Sequence, residues 1–298
     1  MKVLCFGSLN VDYVYRVPHF VVPGETLASE SLCRYSGGKG LNQAIALAKA
    51  GARTAMAGCV GEDAAFLLDE LQAAGVNTDR VCVKDVPTGH AVIQNTPDGE
   101  NAILLYGGAN RTHTVQQIRE TLSVLAPGDL VLLQNEINGN REIICEAKEY
   151  GLRLAMNPSP MDSDMLSLPL EELDYLILNR VEAAQLLGGK GEPDPMLEIL
   201  RRRFPDTLVV LTIGASGALA CQGDKRFFQP AFPVRPVDTT GAGDTFTGYF
   251  LAEFCRSSSI EKALRLAAAA AALAVTRPGA SPSIPVLEEV QHFLHSEA

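Results

Sequence analysis

A carboxylate set inside a glycine-rich turn is the pattern with the most chemical content in this 298-residue chain. The stretch Val237-Asp238-Thr239-Thr240-Gly241-Ala242-Gly243-Asp244-Thr245-Phe246 reads as a strand-like run, a small-residue turn and a helix start. N–H groups in the first turn of a helix lack intrahelical acceptors, and the helix dipole adds partial positive charge, so such a turn attracts anions. Gly241, Ala242 and Gly243 let a phosphate approach the backbone closely. Asp244 would repel that phosphate. Its presence makes sense if it accepts a proton beside a phosphoryl group in transfer. A carboxylate there also stabilises a helix N-terminus, and the decapeptide alone allows either role.

Three further signals are weaker in isolation. Ser36-Gly37-Gly38-Lys39-Gly40-Leu41-Asn42-Gln43-Ala44 opens a helix with glycines and sets Lys39 and Asn42 one turn apart. Backbone, Lys and Asn together can hydrogen-bond a polyhydroxylated ligand. The segment is not a phosphate-binding P-loop, because Cys33 and Gly40 stand where Gly and Ser/Thr are required, and Gln43 breaks G-x-G-x-x-G. Asn10 and Asp12 follow the first strand-like run, spaced to share one face of an extended segment. Side chains at the carboxyl ends of strands lie where open α/β sheets bind ligands, although for the pair taken alone an Asx turn is the better explanation. Asn179-Arg180-Val181-Glu182 has the spacing of a capping box.

These residues need a scaffold, and the composition limits it. The chain is 47% hydrophobic and 20% charged, which excludes a disordered or fibrous protein. With 25 Lys plus Arg against 35 Asp plus Glu, the net charge is −10, which disfavours nucleic acid as a partner. Seven cysteines, odd in number and without a C-x-x-C pair, fit reduced thiols in a cytoplasmic protein. The apolar start is too short for a signal peptide, and Leu266–Val275 is about half a membrane span, so no membrane role is expected. His292 and His295 form an H-x-x-H without a third ligand in the sequence nearby.

Apolar runs predict strands at Val3–Phe6, Leu130–Gln134, Arg153–Met156, Tyr175–Leu178 and Leu208–Thr212. Helical periodicity predicts helices at Gly40–Ala50, Ala64–Ala74, Thr114–Leu125, Arg141–Tyr150, Val181–Leu187, Pro195–Arg203, Ala242–Cys255 and Ile260–Val275. Strands buried on both faces and alternating with helices imply a doubly wound, mostly parallel sheet. Val11–Tyr35 and Pro87–Tyr106 instead alternate with period two and carry the turn signals Pro23-Gly24 and Pro97-Asp98-Gly99. They predict a small β lid on one domain spanning residues 1–298. Its apolar residues, among them Val14, Val17, Leu32, Ile93, Ile103, Leu104 and Leu105, exceed what a single-layer lid can bury, which predicts a homodimer through it.

The four signals, in this order, resemble the PfkB family of carbohydrate kinases, and in particular its ribose kinases. The pair Gly-Gly-Lys-Gly-x-Asn-Gln-Ala at 37–44 and Asp-Thr-x-Gly-Ala-Gly-Asp-Thr-Phe at 238–246 carries the resemblance, which runs to Ala274-Val275-Thr276-Arg277-Pro278-Gly279-Ala280-Ser281-Pro282-Ser283. It implies a Rossmann-like domain, a β lid over the sugar, and transfer of the ATP γ-phosphoryl group to a sugar hydroxyl. On this resemblance Asp244 is the catalytic base, and the amides of Ala242 and Gly243 form the anion hole. Asn10, Asp12, Gly38, Lys39, Asn42 and Glu136 would hold the sugar. Asn179, Thr212, Gly214, Ser216, Gly217, Gly243 and Ala268 would meet the nucleotide. Glu182 would organise Mg²⁺ through water, and Asp238, Thr240, Ala274, Arg277, Gly279 and Ser283 would surround a K⁺ ion.

Two positions depart from the family pattern. Ala268 replaces a polar residue near the adenine, and the loop Asn135–Asn140 beside the sugar is unusually polar. The implied reaction is D-ribose to ribose 5-phosphate. Another sugar (fructose, 2-deoxyribose, 2-keto-3-deoxygluconate) or a nucleoside such as adenosine or pseudouridine is the alternative, and a non-catalytic sugar-binding regulator of the same fold is the second. A nicotinamide dehydrogenase is disfavoured because no G-x-G-x-x-G follows the first strand.

Overall fold

The computed structural model describes residues 1–296. The chain begins with β1 (Val3–Phe6) and enters two strands of a separate sheet, β2 (Asn10–Arg16) and β3 (Ser31–Gly37). Helix α1 (Lys39–Lys49), β4 (Thr54–Gly61), α2 (Ala65–Ala73) and β5 (Asn77–Lys84) return it to the main sheet. The separate sheet is completed by β6 (Gly89–Asn95) and β7 (Asn101–Tyr106). Then come α3 (Val115–Leu122), β8 (Leu130–Gln134), α4 (Asn140–Glu149), β9 (Arg153–Asn157), β10 (Tyr175–Asn179), α5 (Arg180–Leu187), α6 (Pro193–Arg203) and β11 (Leu208–Thr212). The hairpin β12 (Ala218–Gln222) and β13 (Lys225–Gln229) precedes α7 (Ala242–Ser257), α8 (Ile260–Ala274) and α9 (Leu287–Ser296).

The main sheet has nine strands in the order β13-β12-β11-β10-β9-β8-β1-β4-β5. From β11 to β5 every pair is parallel, and β12 and β13 add an antiparallel edge. All five residues of β8, Leu-Val-Leu-Leu-Gln, are buried, because helices cover both faces of a sheet built this way. One core joins β1, β4 and β8 to α1, α2, α7, α8 and α9 through residues such as Leu41, Leu71, Phe250, Leu264 and Val290. The other face packs on α3 to α6 through Ile118, Ile144, Leu186 and Leu200. The expected doubly wound sheet is therefore present.

The helix boundaries lie within a few residues of those expected, and five strands coincide closely. The periodicity did not reveal β4, β5, β12, β13 or α9. Thr-Ala-Met-Ala-Gly-Cys-Val-Gly in β4 has small residues rather than β-branched ones, and β5 is mostly polar. Both are fixed by neighbours distant in the sequence.

The two segments expected to form a lid build one separate sheet. Its order is β3-β2-β6-β7, and the central pair β2/β6 is parallel, so the two segments form one sheet. Val17 was expected among the lid's surplus apolar residues, yet it is buried. Asn10 and Asp12 both lie on β2 with one residue between them. They share a face, as extended spacing requires.

Candidate active site

The first half of the site is built where α1 begins. Gly38 is its N-cap, with φ of +92°, and a Cβ there would lie 3.0 Å from both Asn10 N and Ser8 O. Only glycine combines that conformation with that approach. The free end of α1 is covered by Glu136, whose Oε2 accepts from Lys39 N at 3.0 Å and from the Ser8 hydroxyl. A carboxylate at a helix N-terminus is favoured by the dipole, so Glu136 is fixed beside Lys39. Asp12 lies close by. Burial and the Glu136 charge push its carboxyl up from the ordinary value to about 6. Burial alone would pull the Lys39 ammonium down, but the charges of Asp244, Glu136 and Glu182 outweigh it and hold Lys39 charged.

The second half comes from α7. A Cβ on Gly248 would lie 2.4 Å from that of Ala46, so α7 and α1 touch nearly backbone to backbone. That contact brings together residues some 200 positions apart. Asp244 is buried and accepts from Asn42 Nδ2 at 3.1 Å through Oδ2 and from Gln43 Nε2 at 2.8 Å through Oδ1. Asn42 Oδ1 is buried without a protein partner. A buried acceptor of that kind costs stability unless a ligand donor meets it.

The N-terminus of α7 is open. Gly241 caps it without any side-chain hydrogen bond. Ala242 N makes a long bond to Thr239 O at 3.3 Å and Thr245 N bonds Gly241 O. The N–H groups of Gly243 and Asp244 have no protein acceptor among the described residues. Of the two expected anion-hole amides, Gly243 is therefore the freer, and nothing lies within 4 Å of the position its Cβ would take.

A cleft of about 480 Å³ opens from this turn. Thr212, Gly214, Gly217, Ala242, Gly243 and Ala268 line it. So do Phe246 and Val275, which the motifs contain without a stated role, and Phe232 and Pro233, which the sequence did not single out. The lining is predominantly apolar, with the free N–H groups at one end, which suits an aromatic base carrying a phosphate chain. Ser216 and Asn179 do not line the cleft. Asn179 is exposed at the end of β10, and its Oδ1 accepts from Val181 N and Glu182 N. Glu182 is buried and accepts from Asn179 N at 2.9 Å. This is the capping box that the spacing allowed.

The loop before α7 is tied to the segment after α8. Asp238 accepts from Thr240 N at 2.9 Å and Gly279 N at 2.8 Å. Burial alone would raise its carboxyl, but these bonds hold it below the ordinary value. Val237 N reaches Val275 O at 2.7 Å, Arg277 N bonds Ala274 O, and the Ser283 hydroxyl donates to Ala280 O. The Arg277 guanidinium points elsewhere, pairing with Glu289 of α9 at 2.8 Å.

One residue bonded to Asn10 had no sequence signal. Asn110, in the turn Gly108–Arg111 after β7, donates to Asn10 Oδ1 at 2.7 Å and accepts from Leu9 N at 3.0 Å. It thereby fixes the Asn10 amide with Nδ2 as its free end. Only its place after two glycines, Gly107 and Gly108, hinted at a built turn.

A buried carboxylate, an ammonium and open amides thus lie together at one end of an apolar cleft. The model of the pfkB family of carbohydrate kinases matches residues 1–287, and the chain belongs to that family. A ribokinase of Haemophilus influenzae is 34% identical over 97% of this chain and 96% of its own. The crystal structure of ribokinase from Cryptococcus neoformans in complex with ADP covers 98% of this chain and 99% of that one at 33% identity, with a TM-score of 0.87. Arabidopsis thaliana ribokinase complexed with ribose and ATP is 31% identical, covers 98% of both chains and gives a TM-score of 0.85. The fold is ribokinase-like, and the protein is a sugar phosphotransferase.

Proposed function

We propose that the enzyme transfers the γ-phosphoryl group of ATP to the hydroxymethyl oxygen of D-ribose, giving ribose 5-phosphate. The observation that carries this reading is the hydrogen-bonded Asn42–Asp244 pair beside the open α7 amides. Ribose and ATP are named because a similar ribokinase was solved with both. Asn10, Asp12, Gly38, Lys39, Asn42 and Glu136 orient the sugar. Asp244 takes the hydroxyl proton as oxygen attacks the γ-phosphorus. The Gly243 amide and the α7 dipole offset the charge of the transferring group, with Ala242 contributing more weakly. The lid lies over the sugar and keeps out water, a competing acceptor.

Among the described residues no group of three or more His, Cys, Asp or Glu could hold a metal. Mg²⁺ suits the site as an ion carried largely by the nucleotide phosphates, with Glu182 reaching it through water. It would neutralise phosphate charge when bound. Both Asp238 oxygens already accept N–H groups. A monovalent cation there would therefore sit mostly among the carbonyls of Thr240, Ala274, Arg277, Gly279 and Ser283, which suits K⁺ better than Na⁺. The test is ribose-dependent ADP release, run across other sugars and nucleosides. Ribose should give the highest kcat/KM, and K⁺ should exceed Na⁺ at equal ionic strength. Equal rates in the two salts would remove the cation from the account.

A cytoplasmic enzyme fits seven unbridged cysteines and the lack, among the described residues, of any helix long and apolar enough to cross a membrane. The lid supports a homodimer. The strand register sets Ile103 and Leu105 on the face of Asp12, and Leu104, Tyr106 and Leu32 on the other. All five are more than half exposed, a concentration of apolar surface unusual for a monomer. Because Ile103 shares the sugar-side face, Ile103→Glu should weaken dimerisation and raise the ribose KM together. Sedimentation of the wild type as a fully active monomer at micromolar concentration would contradict this.

A further inference from the structure

We propose that Gln43 and Gln134 are positioning residues that present a fixed amide N–H to the Asp244 carboxylate. Neither side chain touches the nucleotide cleft, and both are wholly buried. Gln43 sits on α1 among Leu41, Ala44 and Ile45, which are core residues. Gln134 ends an otherwise apolar strand. Burying two amides in a core costs stability unless their bonds are made, so their arrangement calls for a role.

The hydrogen bonds run in one direction. Asn157 Nδ2 donates to Ile177 O at 3.0 Å, which turns its Oδ1 toward Gln43. Gln43 Nε2 donates to that Oδ1 at 3.0 Å and to Asp244 Oδ1 at 2.8 Å, using both its hydrogens. Gln43 Oε1 accepts from Gln134 Nε2 at 2.7 Å. A flipped Gln43 amide would set its oxygen against two oxygens and its nitrogen against a nitrogen. The backbone of β10 on one side and Gln134 on the other thus lock the donor onto Asp244. Gln134 keeps one oxygen without a partner, so its own satisfaction does not explain its presence.

The carboxylate therefore cannot rotate away from the hydroxyl it serves. Gln43→Leu removes the donor while keeping an apolar fit. Its kcat should fall about tenfold, the usual worth of a bond to a charged group, with the ribose KM within about twofold. Gln134→Met frees Gln43 to rotate without touching Asp244, and should give the same changes at smaller size. If Gln43→Leu does not fold, Gln134→Met decides the matter alone.

A purely structural role predicts a lower Tm in both variants with kcat unmoved, and that result overturns the proposal. A rise in KM at constant kcat overturns it too. The inference rests on Asp244 being the base, and Asp244→Asn separates the two. If that variant is crippled while the kcat of the glutamine variants is unchanged, only the positioning role falls.

Discussion

Asp244→Asn should lower kcat by roughly 10² to 10⁴, the range for losing a positioned general base, while sugar and ATP binding change by no more than a few-fold. The substitution preserves shape and removes the ability to take a proton. It also turns an amide nitrogen toward either Asn42 Nδ2 or Gln43 Nε2, both of which now donate to the carboxylate. Some loss of thermal stability should accompany the kinetic loss. The competing role for Asp244 is electrostatic support of the α7 N-terminus, worth up to about 2 kcal/mol for a partly buried group. That role predicts a modest change in Tm and nearly unchanged turnover. Steady-state kinetics on the purified variant, with binding measured separately, distinguish the two. Near wild-type turnover would make Asp244 a structural residue.

The ribose KM should rise as pH falls through about 6, because burial and the neighbouring Glu136 push the Asp12 carboxyl to that value. Above it Asp12 is ionised and accepts charge-assisted hydrogen bonds from sugar hydroxyls. Below it the acceptor is lost. Asp12→Ala should raise the KM at neutral pH by about 10- to 100-fold, the cost of losing one or two bonds to a charged group. Asp12→Asn should raise it less and flatten its pH dependence near 6. The sign for stability is opposite. A carboxyl whose folded value is raised contributes stability at low pH that is lost as pH rises through about 6. At neutral pH ionised Asp12 therefore costs the ligand-free protein stability, and Asp12→Asn should raise its Tm. A KM that is flat between pH 5 and pH 7 in the wild type, or a lower Tm in Asp12→Asn, would show that Asp12 does not carry this charge in the site.

What the sequence disclosed and what it concealed divide along physical lines. Asp244, Lys39 and Asn42 were legible because each sits in a glycine-rich helix start, a local arrangement that needs only a few consecutive residues. The layers were legible because helices covering both faces impose continuous apolar strands such as Leu130–Gln134. The strands of the separate sheet were legible from their period of two, but the parallel β2/β6 pairing that unites them was not. Register between distant strands leaves no mark in either. Asn110, Asn157, the role of Gln134, and Phe232 and Pro233 of the cleft were invisible for the same reason. Gln134 meets Gln43 across 91 positions and Asn110 meets Asn10 across 100. A lone Asn or Gln in a sequence carries no indication of which partner it will find. Asn179-x-x-Glu182 shows the converse, since the local capping box that the spacing allowed is formed.

The reaction itself is tested most directly by phosphorus NMR of what the enzyme makes from ATP, Mg²⁺ and D-ribose in K⁺ buffer. The account predicts one sugar phosphate, ribose 5-phosphate, formed in equal amount with ADP, with neither formed at appreciable rate by Asp244→Asn. ADP released without a sugar phosphate, or ribose left unchanged while another sugar or a nucleoside is phosphorylated, would contradict it.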